Sequence, residues 1–480
     1  MSAAAEAGAA SGRPTTRRKN VILFSCCLSL LIVSMDATIV NVAIPSIRAD
    51  LGASGTQIQW VVDVYTLVLA SLLLLGGAAG DRFGRRRVFQ LGLTIFGVGS
   101  LLCSLAPGIG TLVAARLVQG IGGSMMNPVA LSIVSQVFSG RVERARALGI
   151  WGGVVGISMA LGPIVGGLLI DFIGWRSVFW INIPICAAAI LLTAMFVPES
   201  RSVTMRDMDP VGQVLAVCAL CGLVFVLIEA PALGWRSPVV LTVATASAVA
   251  LAAFLRFESR RRDPFIDLRF FASVPFASAT VTAVCAFAAW GAFLFMMSLY
   301  LQGERGYSAA YTGLLYLPIA IGALVFSPLS GRMVGRFGPR PSLLAAGLLI
   351  TAASVLLTFL TAGTPVWAIL GIFAVFGIGF ALVNAPVTNA AVSGMPRDRA
   401  GAASAVTSTS RQVGVSIGIA LCGSVAAAAL HPAGAGFAAA ARPMWWVSAA
   451  LGAVITVLAI TSTSPRALRS AQRLAPLIAD

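Results

Sequence analysis

Charge is scarce in this sequence. Only 10% of its 480 residues are Asp, Glu, Lys or Arg, against 58% hydrophobic, and the mean hydropathy is +0.93. A soluble chain of this length exposes far more charge, so the composition is that of a protein crossing a bilayer many times. Histidine is nearly missing. His431, in a Pro/Ala/Gly stretch, is the only one, which excludes a histidine metal cluster or histidine proton relay in the membrane. Lysine is reduced to Lys19, which follows Arg18, and a Walker A loop needs Gly-Lys-Ser/Thr, so no ATP site of that kind exists. Work then has to come from an ion gradient, and any proton carriers have to be carboxylates. The eight cysteines (Cys26, Cys27, Cys103, Cys186, Cys218, Cys221, Cys285, Cys422) fall within or at the ends of apolar segments. They read as small buried residues rather than a disulfide framework, and Cys218-x-x-Cys221 lies in an apolar helix where a redox role is out of place.

A span takes about 20 apolar residues. Fourteen stretches qualify, near 21–45, 58–79, 87–105, 110–138, 147–171, 177–197, 211–229, 238–255, 275–300, 310–330, 342–361, 367–391, 400–429 and 443–463. The net charge of +16 does not point to nucleic acid, because the basic residues lie in short loops between apolar spans. With the N-terminus in the cytoplasm, cytoplasmic segments hold 26 of the 33 Lys and Arg, and outer loops hold five: Arg48, Arg176, Arg236, Arg305 and Arg442. Arg116 and Arg411 remain in the membrane. The expectation is an all-α polytopic membrane protein of 14 transmembrane helices with both termini cytoplasmic.

A weak repeat suggests how the helices are grouped. Gly80-Asp81-Arg82-Phe83-Gly84-Arg85-Arg86 follows helix 2, and Val334-Gly335-Arg336-Phe337-Gly338-Pro339-Arg340 follows helix 10. That shift of eight helices fits two six-helix bundles, 21–197 and 275–463, with a linker at 198–274 carrying two extra central helices. Residues 1–20 read as a disordered cytoplasmic tail ahead of a retained first helix, and 464–480 as a cytoplasmic C-tail. The second copy has Gly335 where the first has Asp81, so the halves are not equivalent.

Three charges sit where charge is costly: Asp36 in Leu31–Ile47, Asp63 in Gln59–Tyr65 and Arg116 in Arg116-Leu-Val-Gln-Gly120. Helix direction places all three in the outer half of the membrane within one bundle. Asp36 is expected to face a cavity. Two acids and one base cannot pair one to one, so one acid neutralises Arg116 and the other is left to take a proton or await a cation. Two other readings stay open: a static ion pair that fixes packing, and an Asp63 solvated at the interface. Helix 5 carries Gly153 and then Gly162-Pro163-Ile-Val-Gly166-Gly167, a string that permits close approach and a bend. Gly371–Gly379 loosely mimic a nucleotide fingerprint, but no strand precedes them, and helix packing is the better reading.

These motifs together resemble the major facilitator superfamily, specifically its fourteen-helix drug:proton antiporter branch, over nearly the whole chain. Gly77 through Arg86 is similar to the signature between helices 2 and 3. Asp36–Pro45 resembles the helix 1 motif, Arg116 with Gln119-Gly120 the helix 4 motif tied to proton coupling, and Gly153–Gly167 the helix 5 antiporter motif. Gly174–Pro184 also resembles the branch, and Asp63 in Trp60–Tyr65 the subgroup exporting quaternary ammonium compounds. The resemblance implies alternating access in a bacterial plasma membrane, with proton influx driving export of lipophilic organic cations and no cofactor beyond the proton gradient. It implies a transporter rather than an enzyme, working as a monomer on a small-molecule substrate within the lipid bilayer. Proton coupling falls to Asp36, Arg116 and Asp63, and substrate contact to Asp63, Asp36, Asn41 and Gln119. Gating falls to Gly77, Asp81, Arg82, Gly84, Arg85 and Arg86, with Asp81 latching onto the start of helix 13 near Arg399-Ala400-Gly401. Two further readings share these features: an exporter of one self-made natural product, and a proton-coupled importer on the same fold. A receptor or scaffold leaves the buried charges unexplained.

Overall fold

The computed structural model describes residues 15–138, 140–201, 209–261, 267–392, 400–422 and 436–464, with 467, 469–470 and 472–473. His431, Arg399, the first fourteen residues and most of the C-tail lie outside the described residues.

Among the described residues there is no strand, and fourteen long helices follow one another. They are α1 (Thr16–Leu51), α2 (Gly55–Phe83), α3 (Arg85–Ser104), α4 (Ile109–Val137), α5 (Arg141–Phe172), α6 (Ser177–Phe196) and α7 (Pro210–Leu233). Then come α8 (Pro238–Glu258), α9 (Val274–Glu304), α10 (Ala309–Phe337), α11 (Pro339–Leu357), α12 (Val366–Ala391), α13 (Ala400–Leu421) and α14 (Phe437–Thr461). Twelve are long and apolar enough to cross a membrane. The other two are α5, whose described apolar part is Ile157–Phe172, and α13, which carries Arg411, Gln412 and six Ser/Thr.

Helices run past their apolar cores because local chemistry ends them. α1 is capped by Thr15 and stops where Gly52 turns left-handed (φ 61°). Ser54 and Gln57 then form a reciprocal capping box that starts α2 three residues earlier than apolarity alone indicates. That fixes Asp63 as the ninth residue of α2, two and a half turns in rather than near its mouth.

Packing follows two sets. Within α1–α6, α4 lies against α2 and α3, α1 against α5 and α6, and α3 against α6. Within α9–α14, α9 lies against α13 and α14, α11 against α14 and α12, and α10 against α12. Of the twelve helices fit to cross a membrane, α9 is the most enclosed and α8 the most peripheral, packed mainly on α7. α7 rests on α2 and α13: Trp60 Nε1 donates to Glu229 at 2.8 Å, and Gln213 donates to the Ser71 carbonyl.

The two sets meet along three seams, α1–α9, α2–α13 and α5–α10. Every cross-set hydrogen bond among the described residues falls in the half of the molecule nearer the α1–α2 turn. Gln302 Nε2 donates to Val42 O (2.9 Å), Ser298 Oγ to Asn41 O, and Gln59 Nε2 to Ile419 O (2.7 Å). Ser416 Oγ donates to Asp63, and the Ala309 and Ala310 amides donate to Asp171 at 3.2 and 3.0 Å.

Candidate functional site

The helix 5 string explains one of these seams. Gly162 and Gly166 face α1, where an added methyl would overlap Thr38 and Ile39. Gly167 faces α10, where it would overlap the Ala309 carbonyl, and Gly313 of α10 answers it against the Pro163 carbonyl. This stretch of α5 thus packs backbone to backbone on α10 and tightly against the Thr38 and Ile39 side chains of α1, approaches that glycine permits. Gly153 lies further back in α5.

Asp36 and Arg116 form a pair wholly inside α1–α6. Arg116 Nη1 donates to Asp36 Oδ2, and the other carboxylate oxygen receives Gln119 Nε2 (2.8 Å) and Asn182 Nδ2 (3.2 Å). Ser100 of α3 bridges Gln119 and Asn182 at 2.9 and 3.3 Å, and Gln119 Oε1 accepts from Arg116 Nη1 at 2.7 Å. Arg116 also donates from Nε to Val61 O (3.1 Å) and stands 4.2 Å from the Tyr65 ring centre. Asp36, Arg116, Gln119, Ser100 and Asn182 are each 0% exposed. Asp36 therefore does not face a cavity: four helices close over it. The sequence shows a helix's charge and its depth but not its azimuth, and the polar partners come from three other helices.

Asp63 has no such cation. It is 0% exposed at the α2–α13 seam, where Oδ1 accepts from Thr66 Oγ1 (3.1 Å) and from Ser416 Oγ. Its Oδ2 is enclosed and has no partner. Of the two acids of which only one was expected to neutralise Arg116, the structure gives the arginine to Asp36 and leaves Asp63 without a cation.

The other sequence candidates fall elsewhere. Asn41 donates back to the Ala37 and Thr38 carbonyls of its own helix at 3.1 and 3.4 Å, and its Oδ1 is unpartnered beside the α1–α9 seam. Gln119 is spent within the Asp36 network. At the far end of α2, Asp81 receives Arg85 Nη2 at 2.8 Å, and Arg85 reaches on to Gln136 of α4 at 3.2 Å. Arg399, at the start of helix 13 where the latch partner of Asp81 is expected, lies outside the described residues. Gly84 takes φ +111°, and a side chain there would meet the Glu199 carboxylate, which accepts from the Arg86 amide at 3.1 Å. Gly77 packs on Pro128, and Arg82 lies over Phe83.

Asn182, Ser100 and Ser416 are part of the site without having been singled out in the sequence. Asn182 had a signal: it sits two residues before Pro184, just past a break in α6 between Trp180 and Asn182. Ser100 and Ser416 had none, being single hydroxyls among small residues. An aromatic block in α9–α14 was also unmarked. Trp290 stacks on Phe380 at 4.5 Å and Phe293 on Phe376 at 4.2 Å, with Phe287 edge-on to Phe380 at 5.1 Å. The spacing Phe373, Phe376, Phe380 puts all three on one face of α12, which was there to be read.

Comparison with known proteins agrees with this arrangement. The "Multidrug resistance protein Stp" of Mycobacterium tuberculosis is 36% identical over 412 residues, covering 86% of this chain and 76% of that protein. The "Tetracenomycin C resistance and export protein" of Streptomyces glaucescens is 37% identical over 409 residues (84% and 74%). The "Methylenomycin A resistance protein" of Streptomyces coelicolor is 36% identical over 396 residues (82% and 83%). A POT family transporter solved with 5-aminolevulinic acid shares the fold alone, with TM-score 0.67 at 16% identity over 94% of this chain and 96% of that one. Residues 26–419 match the Major Facilitator Superfamily profile. With twelve helices fit to cross a membrane, the fold in common and relatives of this likeness, the chain is a multi-pass membrane protein belonging to the Major Facilitator Superfamily.

Proposed function

We propose that this protein exports drugs or antibiotics from a bacterial cell across the plasma membrane, in exchange for protons, by alternating access. The single observation that carries the coupling is Asp63: a buried carboxylate, unpaired on one oxygen, at a seam between the two helix sets. Closing a seam over a bare charge is costly, and closing it over a carboxylate that holds a proton or a cationic substrate costs less. Either ligand licenses the switch and each excludes the other, which is the logic of antiport. Asp36, by contrast, is neutralised by Arg116 and held by two amides, so its task is to fix α1, α3, α4 and α6 as one body that rocks without deforming.

The reading takes α1–α6 and α9–α14 as the two moving bundles, α7–α8 as the inserted pair, all fourteen helices as spans and both termini as cytoplasmic. The α1–α2 turn then faces outward, on the side where the seams are closed. Export is supported by the relatives, named for multidrug or antibiotic resistance. Two of those names specify a single antibiotic, which favours as second reading a dedicated exporter of one natural product.

The test is a growth-inhibition panel in a pump-deficient host with and without the gene, followed by efflux assays on inverted vesicles. The reading expects tolerance to rise for at least one compound and its transport to stop when nigericin collapses the pH gradient. Uptake into cells that follows the proton gradient would make the protein an importer instead.

A further inference from the structure

One membrane-embedded charge is left over. Arg411 lies on α13 within Thr407-Ser-Thr-Ser410-Arg411-Gln412. Its Nη2 donates to Thr388 Oγ1 of α12 at 2.7 Å, its guanidinium stands 5.8 Å from the Phe287 ring centre of α9, and its Nε is enclosed with no partner. No ion pair among the described residues includes it. The one acid among the described residues of α9–α14 is Glu304, whose carboxylate instead receives the Ala438 amide at 2.8 Å. A guanidinium in a membrane helix without a carboxylate marks a polar pathway rather than a lipid contact. Its surroundings agree, because Thr388 and the neighbouring Asn389 are exposed polar residues one turn beyond Asn384 on a mostly apolar helix.

Two features give the ligand its chemistry. Phe287, under the guanidinium, joins the row Phe287–Phe380–Trp290, so the charge stands at the end of an aromatic platform. The second unpaired charge, Asp63, is tied to the same helix: Ser416, which donates to it, lies five residues beyond Arg411, about 7.5 Å of helical rise. Opposite charges flank one stretch of α13 and do not pair with each other.

We propose that Arg411 is an anion subsite in the transport pathway, and that the exporter accepts amphoteric aromatic compounds. These carry a carboxylate or acidic phenol for Arg411 together with the cationic group received by Asp63. Arginine suits the task because its planar fork binds a carboxylate through two parallel hydrogen bonds, which an ammonium does not. The proposal rests on the efflux reading and narrows its substrate class.

The experiment measures pH-gradient-driven transport in proteoliposomes of two matched pairs, tetramethylrhodamine with its methyl ester and norfloxacin with its ethyl ester. Within each pair only the carboxylate is masked. Wild type is expected to move the acids, and Arg411→Gln to lower acid transport about tenfold or more, the size of one charge-assisted hydrogen bond, with ester transport nearly unchanged. Arg411→Lys, which keeps charge without the fork, should retain part of the acid transport and all of the ester transport. It also serves if the glutamine variant is not monodisperse on size exclusion. Equal losses of acid and ester would make Arg411 a packing residue and overturn the subsite. Wild type moving esters but no acid would overturn it too, with the efflux reading intact. Wild type moving nothing, in these pairs or in the growth panel, would remove both.

Discussion

At the scale of single residues, two acids of the same type and similar depth have different fates because of what the neighbouring helices bring to them. Asp36 meets Arg116, Gln119 and Asn182, whereas Asp63 meets two hydroxyls. Breaking a buried pair by removing one partner strands the other, at a cost of about 3–5 kcal/mol. Asp36→Asn and Arg116→Gln should therefore each lower the Tm of the purified protein, and the double variant should be less unstable than the sum of the two. Additive losses in that cycle would mean that the pair does not act as a unit. Asp63→Asn removes a charge that has no cation, so it should leave the Tm equal to or above wild type.

At the scale of helices, the seams nearer the α1–α2 turn are built from close helix contacts and a few hydrogen bonds, most of them buried. Gly167→Leu puts a branched side chain into the Ala309 carbonyl and should hold the α5–α10 seam apart. A cysteine placed at Ser298 should then label faster from outside, while transport falls. Unchanged labelling would mean that the seam does not govern access. Asp171 accepts the first two amides of α10, an interaction typically worth about 0.3–1 kcal/mol at an exposed helix start. Asp171→Ala should therefore shift the same labelling only about two- to fivefold. A change as large as that of Gly167→Leu would mean the carboxylate does more than bias an equilibrium. The glycine string was legible in the sequence because backbone contact leaves few residue choices. Its partner Gly313 was not, because one glycine in an apolar helix carries no pattern. Asp81 was legible as an acid in a basic turn, and Arg85, one turn away, pairs with it.

At the scale of the whole molecule, the sequence yields fourteen helices at nearly the positions observed, since apolar length is one-dimensional information. Helix ends needed the caps, and Gly52 with Ser54 and Gln57 moved Asp63 deeper than apolarity suggested. The azimuth of each helix was beyond reach, and with it the enclosure of Asp36, the aromatic block and the seam that is closed. The division of labour that results, Asp36 fixing one bundle and Asp63 exchanging proton for substrate, is tested most directly by counting protons. Purified protein is reconstituted in vesicles containing pyranine, an ethidium gradient is imposed, and proton movement is recorded with ethidium movement for wild type and Asp63→Asn. The account predicts that wild type moves protons against ethidium and that Asp63→Asn, folded and monodisperse, moves none in response. Protons still moving with ethidium in Asp63→Asn would contradict it.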